Sequence, residues 1–317
     1  MHATPLTIRP ATAADTAELS DLFCVSMNYW YRAHGKPEIF PAGPGGVHPF
    51  FATYDLLDPG ACVVAEHQVT RRLMGASFFH PRQTHVSLGM LAVHPNYFSA
   101  GVGSALVRHI TGLADARGVP TRLVSSAHNL DSFSLYTRKG FVPRMTFQDV
   151  LVSAPATGDL ATPGFENRAV RPATSADVPA IAELERTLTG VYRPEDWGHF
   201  VENRLGWWSV SVVEGPGGLS GPGELAGAVA SVRVGGMFFV GPGVAVDRHS
   251  AAAGVRDQLL QRRGETALLL LPVDQPELVR LAYDWGARNI EIHVLQVRGS
   301  YTPVSGVALP TFLPESF

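Results

Sequence analysis

The 317-residue chain is short of several things, and each shortage closes off a class of function. It has two cysteines, Cys24 and Cys62. Two cannot build a disulfide framework, and no ligand spacing surrounds them, so they read as small buried hydrophobes in a reducing cytosol. Lysine is almost missing: Lys36 and Lys139 are the only two. Arginine takes its place beside abundant Ala, Gly and Pro, which points to coding-sequence base composition rather than function. The formal net charge of −3 offers no basic excess for a phosphodiester backbone, so no nucleic-acid partner is expected. No apolar stretch approaches the length of a membrane span; Leu268 to Leu271 reads as a short buried strand. Met1 to Pro5 lacks the basic stretch and apolar run of a signal peptide. A cytoplasmic protein with no membrane partner is the expectation. The twelve histidines are scattered, and His80 with His85 has no standard ligand spacing, so no metal is expected.

What is present is a repeat. Ile8-Arg9-Pro10-Ala11-Thr12-Ala13-Ala14-Asp15 returns as Val170-Arg171-Pro172-Ala173-Thr174-Ser175-Ala176-Asp177. Each copy reads as a short strand, a turn and a helix, with Asp15 or a neighbouring Thr as cap and Leu19, Leu22 and Phe23 as the apolar stripe. Later segments correspond in the same order, and a period this long means two domains rather than a solenoid. Between them, Ser153 to Gly164 is rich in small residues, Pro and Gly and has no apolar periodicity, as a linker does. The expected division is a domain over 1–153, a linker over 154–167 and a second domain over 168–317.

In the first half, strands are expected at Ala61 to His67, Leu73 to His80, Thr84 to Val93, Thr121 to Ser126 and Phe141 to Val152. Helices are expected over Gly101 to Arg117 and Asp131 to Arg138. The mixture predicts an α/β sandwich.

One loop stands out. An apolar strand ends at Leu91-Ala92-Val93, Pro95 stops further ladder bonding, and small residues from Ser99 to Ser104 enter a helix through Gly101-Val102-Gly103. Open backbone N–H groups and the positive end of a helix favour an anion such as a pyrophosphate. The spacing supplies neither the third glycine and later acid of a dinucleotide fingerprint nor the lysine of an ATP loop.

The segment Val93-His94-Pro95-Asn96-Tyr97 followed by Gly101-Val102-Gly103-Ser104-Ala105-Leu106 resembles the acetyl-CoA-binding signature of the GNAT superfamily of N-acyltransferases. A second signature of that family is similar to Asn129 through Ser132, Phe133 and Tyr136 to Gly140-Phe141. The resemblance implies two tandem GNAT folds, each a mixed, mostly antiparallel sheet flanked by helices. It implies acetyl-CoA as cofactor, held by Leu91, Ala92, Val93, Phe98, Ser99, Ala100, Gly101, Val102, Gly103, Ser104, Asn129, Ser132, Phe133 and Tyr136. Phe98 and Ala100 depart from the family, which usually has Gln or Arg at the first place and Arg at the second.

The implied activity is direct acetyl transfer to a primary amine of a small molecule or peptide. Tyr136 would protonate the departing thiolate, and a backbone N–H near Val93 would stabilise the oxyanion. The strand carboxylate that often serves as base is absent, since Gly89 and Met90 occupy those positions. Glu66, His80 and His85 lie on neighbouring strands and could act through water. Tyr29-Trp30-Tyr31 could grip an acceptor or simply pack a helix onto the sheet. Two other functions fit the motifs: a non-catalytic acyl-CoA-binding module and a GNAT-fold acyl-CoA decarboxylase. Two equivalent domains could pair within one chain, so monomer and homodimer both stand.

The second half reads as a worn copy. Gly254 aligns with Gly101, Arg256 replaces the second glycine, and Ala282 falls where Tyr136 lies, with Tyr283 one position away. Gly215 to Gly223 reads as a long hairpin loop.

Overall fold

The computed structural model describes residues 5–216 and 224–317. The first unit runs β1 (Leu6–Pro10), α1 (Thr16–Ala33), α2 (His48–Leu57), β2 (Cys62–His67), β3 (Leu73–Pro81), β4 (Val86–Val93), α3 (Val102–Ala116), β5 (Thr121–Ser126), α4 (Leu130–Arg138) and β6 (Val142–Ser153). The second runs β7 (Ala169–Pro172), α5 (Val178–Thr189), α6 (Pro194–Glu202), β8 (Trp208–Glu214), β9 (Leu225–Val234), β10 (Met237–Ala245), α7 (Arg248–Leu260), β11 (Thr266–Pro272), α8 (Pro276–Asp284) and β12 (Arg288–Arg298), with β13 (Val307–Leu309) added at the end. The fold is two similar units of mixed, mostly antiparallel sheet flanked by helices.

The repeated octapeptide has a structural cause. Arg9 lies on β1 and its guanidinium grips Asp15 through two 2.8 Å bonds, while the Thr12 N–H donates to the same carboxylate at 2.7 Å. Arg171, Asp177 and Thr174 repeat this lock at 2.9, 2.7 and 2.8 Å. Each lock fixes the angle at which a first helix leaves a first strand, because a bidentate arginine specifies direction as well as distance. The arginine holds both carboxylates far below the usual Asp range.

The strands form one continuous sheet in the order β1-β2-β3-β4-β5-β12-β6-β11-β10-β9-β8-β7. The units therefore trade strands. β12 pairs with β5 along His293↔Ser126 to Arg298↔Thr121, and β6 pairs with β11 along Thr266↔Ser153 to Pro272↔Phe147. Each unit's sheet is completed by the other's last strand, and β6 and β12 pair with each other in the middle.

On one face, Phe23, Phe51, Tyr54 and Phe78 share a core with Trp197, Phe200 and Phe239 of the other unit. On the other face the units keep separate cores, Leu106, Ile110 and Tyr136 under α3 and α4, and Val255, Leu259 and Leu281 under α7 and α8. Shared strands and a shared apolar face fix the two units to each other.

Two features differ from the sequence reading. Helix α2 was not expected; it starts at His48 with Pro49 in its first turn, where a missing N–H is tolerated, and buries Phe50, Phe51 and Tyr54. Gly254 does not sit where Gly101 does. It lies inside α7, where a Cβ would come within 2.6 Å of Val229, so it is a close-packing glycine. The second unit passes from Ala245 to a helix starting at Arg248, with no room for the long loop that joins β4 to α3. The stretch from Gly215 to Gly223 falls mainly outside the described residues, although Glu214 and Leu225 on either side pair as a hairpin requires.

Candidate active site

Strands β4 and β5 run parallel but pair only at Val86↔Thr121 and Ser87↔Arg122. From Leu88 onward they part, and β4 loses its ladder on that side. The wedge carries backbone groups without sheet partners, which a linear amide-bearing ligand can satisfy. The Val93 carbonyl takes a 2.9 Å bond from the Ser26 hydroxyl of α1.

At the open end lies the glycine loop. Pro95–Tyr97 forms a short 3₁₀ turn, Ser99 and Gly101 both have positive φ, and α3 begins with no side chain capping it. Gly101 has φ +82 with open space where a Cβ would be. A Cβ at Gly103 would meet Leu135 at 3.3 Å and Val93 at 3.6 Å, so α3 lies close to α4 and the strand end. The uncapped amides of the first turn are an anion site in form. Phe98 and Leu130 are exposed beside it, and the Tyr29 ring stands 5.6 Å from Phe98. Asn129 caps α4, its Oδ1 accepting from the Ser132 N–H at 3.1 Å. Phe133 follows in the first turn of α4.

Tyr136 is buried between α3 and β5, beside Phe141. Burial pushes its hydroxyl up to about 12, the charge of Glu315 adds to the rise, and the Ser132 hydroxyl opposes it. It therefore stays protonated across the neutral range, as a proton donor must.

The three residues considered as bases fall in different surroundings. Glu66 is tied to Arg9 at 2.7 Å and Arg71 at 2.7 Å on β2, in a structural ion network. His85 has both ring nitrogens engaged, Nδ1 with the Thr84 hydroxyl and Nε2 with the Ser316 carbonyl, each at 3.0 Å. Burial, with Arg122 next, holds it well below the ordinary histidine value. His80 differs. Its Nδ1 bonds the Asp58 carboxylate at 2.6 Å, and its buried Nε2 has no partner among the described residues. A Cβ on Gly89 would lie 3.0 Å from that nitrogen, so the face of β4 that glycine leaves bare lies over it. Because a carboxylate only accepts, the neutral ring carries its proton on Nδ1 and offers the lone pair of Nε2. Burial alone would raise Asp58; bonds from His80 and Arg82 outweigh this and hold it below the usual value.

Tyr29, Trp30 and Tyr31 end α1 and do not act as one surface. Trp30 stacks on His34 at 4.2 Å, while Tyr31 turns toward β12 and β6, where burial, then Glu291, raises its hydroxyl to about 12. Lys36 bonds Glu291 at 2.6 Å and lies over both Trp30 and Tyr31.

The C-terminal segment was missed by sequence reading. After β13, residues 310–317 cross from the second unit to the first. The Ser87 hydroxyl donates to the Phe317 carbonyl at 3.3 Å, at the apex of the wedge, and Glu315 accepts from the Tyr54 hydroxyl. No motif marks this segment.

The second unit has the same wedge, with β10 and β11 paired only at Phe239↔Leu268 and Val240↔Leu269. There β13 fills it, pairing with β10 from Gly243↔Leu309 to Ala245↔Val307 and lying against β11. The start of α7 is capped by Asp247, whose Oδ1 takes the Ser250 N–H at 2.7 Å. The linker covers it further, with Phe165 edge-on to His249 and the Glu166 N–H donating to His249 at 3.1 Å. At the position of Tyr136 stands buried Ala282; Tyr283 points outward and bonds Gln148 at 2.5 Å.

Residues 27–141 match the acetyltransferase (GNAT) family model. The fold is the GNAT fold. A Pyrococcus horikoshii protein assigned as an acetyltransferase has a similar structure, with a TM-score of 0.71 at 14% identity over 100% of this chain and 95% of that one. A GCN5-related N-acetyltransferase of Sphaerobacter thermophilus gives 0.64 at 16% identity, covering 95% of this chain and 98% of that one. A tandem GNAT protein from the clavulanic acid biosynthesis pathway gives 0.59 at 14%, covering 93% and 98%. At such identities the GNAT fold is what is shared. No curated protein matches the sequence. Among the described residues no helix is long and apolar enough to cross a membrane.

Proposed function

We propose that the first unit binds acetyl-CoA and transfers the acetyl group directly to a primary amine, and that the chain is a tandem GNAT protein whose second unit takes no coenzyme. The division is the one read from the sequence, 1–153 and 168–317 about a linker, with β6 and β12 exchanged across it. The observation that carries this reading is the contrast between the two wedges. One is open, with an uncapped helix start and a tyrosine; the other is plugged by β13, capped by Asp247 and lacks the tyrosine.

In the first wedge, the pyrophosphate would meet the amides from Ser99 to Ser104, with Leu91, Ala92 and Val93 along the pantetheine arm and Asn129, Ser132 and Phe133 across from it. The amine attacks the thioester carbonyl, and the oxyanion gathers at the unpaired edge of β4. Tyr136 donates to the departing thiolate. His80, held by Asp58, takes the proton that the nitrogen sheds as the tetrahedral intermediate collapses.

Calorimetric titration with acetyl-CoA tests the reading. One site per chain, lost in Gly103→Trp, supports it; no heat and no thermal shift overturn it. Thiol release against a panel of amines then separates acyl transfer from a binding module, and carbon dioxide release from malonyl-CoA would identify a decarboxylase instead.

A further inference from the structure

Converting a protonated amine to an amide removes two protons from nitrogen. One must leave before attack, because an ammonium has no lone pair, and one leaves afterward. A neutral imidazole has no charge with which to draw an ammonium in. The first unit supplies no carboxylate on β4 for this purpose.

The second unit's last segment does supply one. Glu315 reaches across to α2, where the Tyr54 hydroxyl donates to it. The Tyr54 ring lies 5.2 Å from the His80 ring and 4.5 Å from Phe78. Glu315 is also near enough to Tyr136 for its charge to add, after burial, to the rise of that hydroxyl. The carboxyl thus lies among the groups that would handle the other protons. The neighbouring segment is firmly seated: Ser316 bonds His85 through its carbonyl at 3.0 Å and Arg193 through its hydroxyl at 2.9 Å, and the Phe317 ring lies 5.0 Å from the Arg122 guanidinium. Asp58 and Arg82 stand behind His80.

Building on the acyl-transfer reading, we propose that Glu315 is the catalytic residue that receives the acceptor, pairing with the ammonium of an alkylamine and taking its first proton. The substrate class is then amines that arrive charged. The balance is complete. The ammonium gives one proton to Glu315, and the freed lone pair forms the C–N bond. The C–S bond breaks and the thiolate takes the Tyr136 proton. The second nitrogen proton passes to His80, Tyr136 is reprotonated from water, and Glu315 and His80 release theirs, for one net proton to solvent. Glu315 suits the task chemically: burial pushes it up to about 7, with Tyr54 opposing, and its residue keeps some solvent contact.

Wild type, E315Q and E315D are compared with acetyl-CoA and two amine sets: alkylamines such as propylamine and phenethylamine, and weak bases such as aniline and methoxyamine that arrive neutral. E315Q should bind acetyl-CoA as wild type does, lose about 100-fold in kcat/KM on alkylamines, and keep its rate on weak bases. E315D should recover part of the loss. The acidic limb of the alkylamine profile, near the Glu315 value, should move upward in E315Q. An equal loss on both sets, or none on alkylamines, overturns the proposal, as does a wild type that binds acetyl-CoA but turns over neither set. A wild type that binds no acetyl-CoA overturns the parent reading instead.

Discussion

The Tyr54 hydroxyl on α2 donates to the carboxylate of Glu315, 261 positions further along the chain. That bond ties the second unit's end to the first unit's candidate site. β4 itself carries no carboxylate, with Gly89 and Met90 in its middle. The exchanged strands make the reach possible. Because β12 lies beside β5, the chain after β12 emerges next to the first wedge and passes through the second on its way back.

The raised Glu315 makes stability depend on pH in a definite direction. Its folded value, about 7, lies above that of an unfolded glutamate. Between the two values the folded state holds the extra proton, so stability falls as pH rises through this window. E315Q lacks that dependence. Its stability relative to wild type should therefore increase by on the order of 1–3 kcal/mol from about pH 5 to pH 8. Denaturant melts at both pH values check this, and a constant difference would show that Glu315 is not protonated in the folded protein.

Tyr136→Phe removes only a hydroxyl from a packed ring. The fold should be unchanged and acetyl-CoA affinity nearly so, while kcat falls about 100-fold because the thiolate leaves unprotonated. Since the hydroxyl stays protonated throughout the neutral range, the loss should be the same at pH 7 and pH 9. Steady-state kinetics on the best amine, beside calorimetry, decide the matter; a loss confined to KM would make Tyr136 a packing residue.

Arg82 joins the units electrically. Its guanidinium, almost wholly buried, bonds Asp58 at 2.5 and 2.9 Å and Asp196 of α6 at 2.7 Å. Removing it leaves Asp58 with His80 as its partner and takes from fully buried Asp196 its close guanidinium bonds, a change that costs about 3–5 kcal/mol in comparable sites. Arg82→Met should lower stability by that order and also loosen Asp58 behind His80. Chemical denaturation tests the first effect, and a fall in kcat without loss of acetyl-CoA binding tests the second.

What sequence could and could not show divides along chain distance. The strands of the first unit from β2 to β6, with α1, α3 and α4, follow from local apolar patterns and from caps such as the box at Thr12. The open loop at Gly101 is local as well. The exchange of β6 and β12 is not, because alternation says that a strand is buried but not beside which partner. Gly254 misled for a related reason: spacing alone cannot distinguish a loop glycine from one that lets a helix approach a sheet. Glu315 lies in a short segment with Pro310 and Pro314 and no periodicity, and only its position in space gives it meaning. His80 could be named from sequence as one histidine among several, but its Asp58 partner and free nitrogen could not.

The two glycine substitutions separate binding from folding. Gly103 lies in the first turn of α3 with limited room toward Leu135, so a tryptophan there should fill the anion site while the helix persists. Gly254 lies against Val229, and even an added methyl must displace a buried side chain, which costs about 1–3 kcal/mol. Gly103→Trp should abolish acetyl-CoA binding while the chain still melts as a folded protein, with Leu135 displaced. Gly254→Ala should lower the melting temperature by several degrees and leave one acetyl-CoA site per chain intact. Differential scanning calorimetry and titration of both variants provide the check. Loss of binding in Gly254→Ala alone, with Gly103→Trp unaffected, would move the coenzyme to the second unit, against the plug formed by β13 and the cap formed by Asp247.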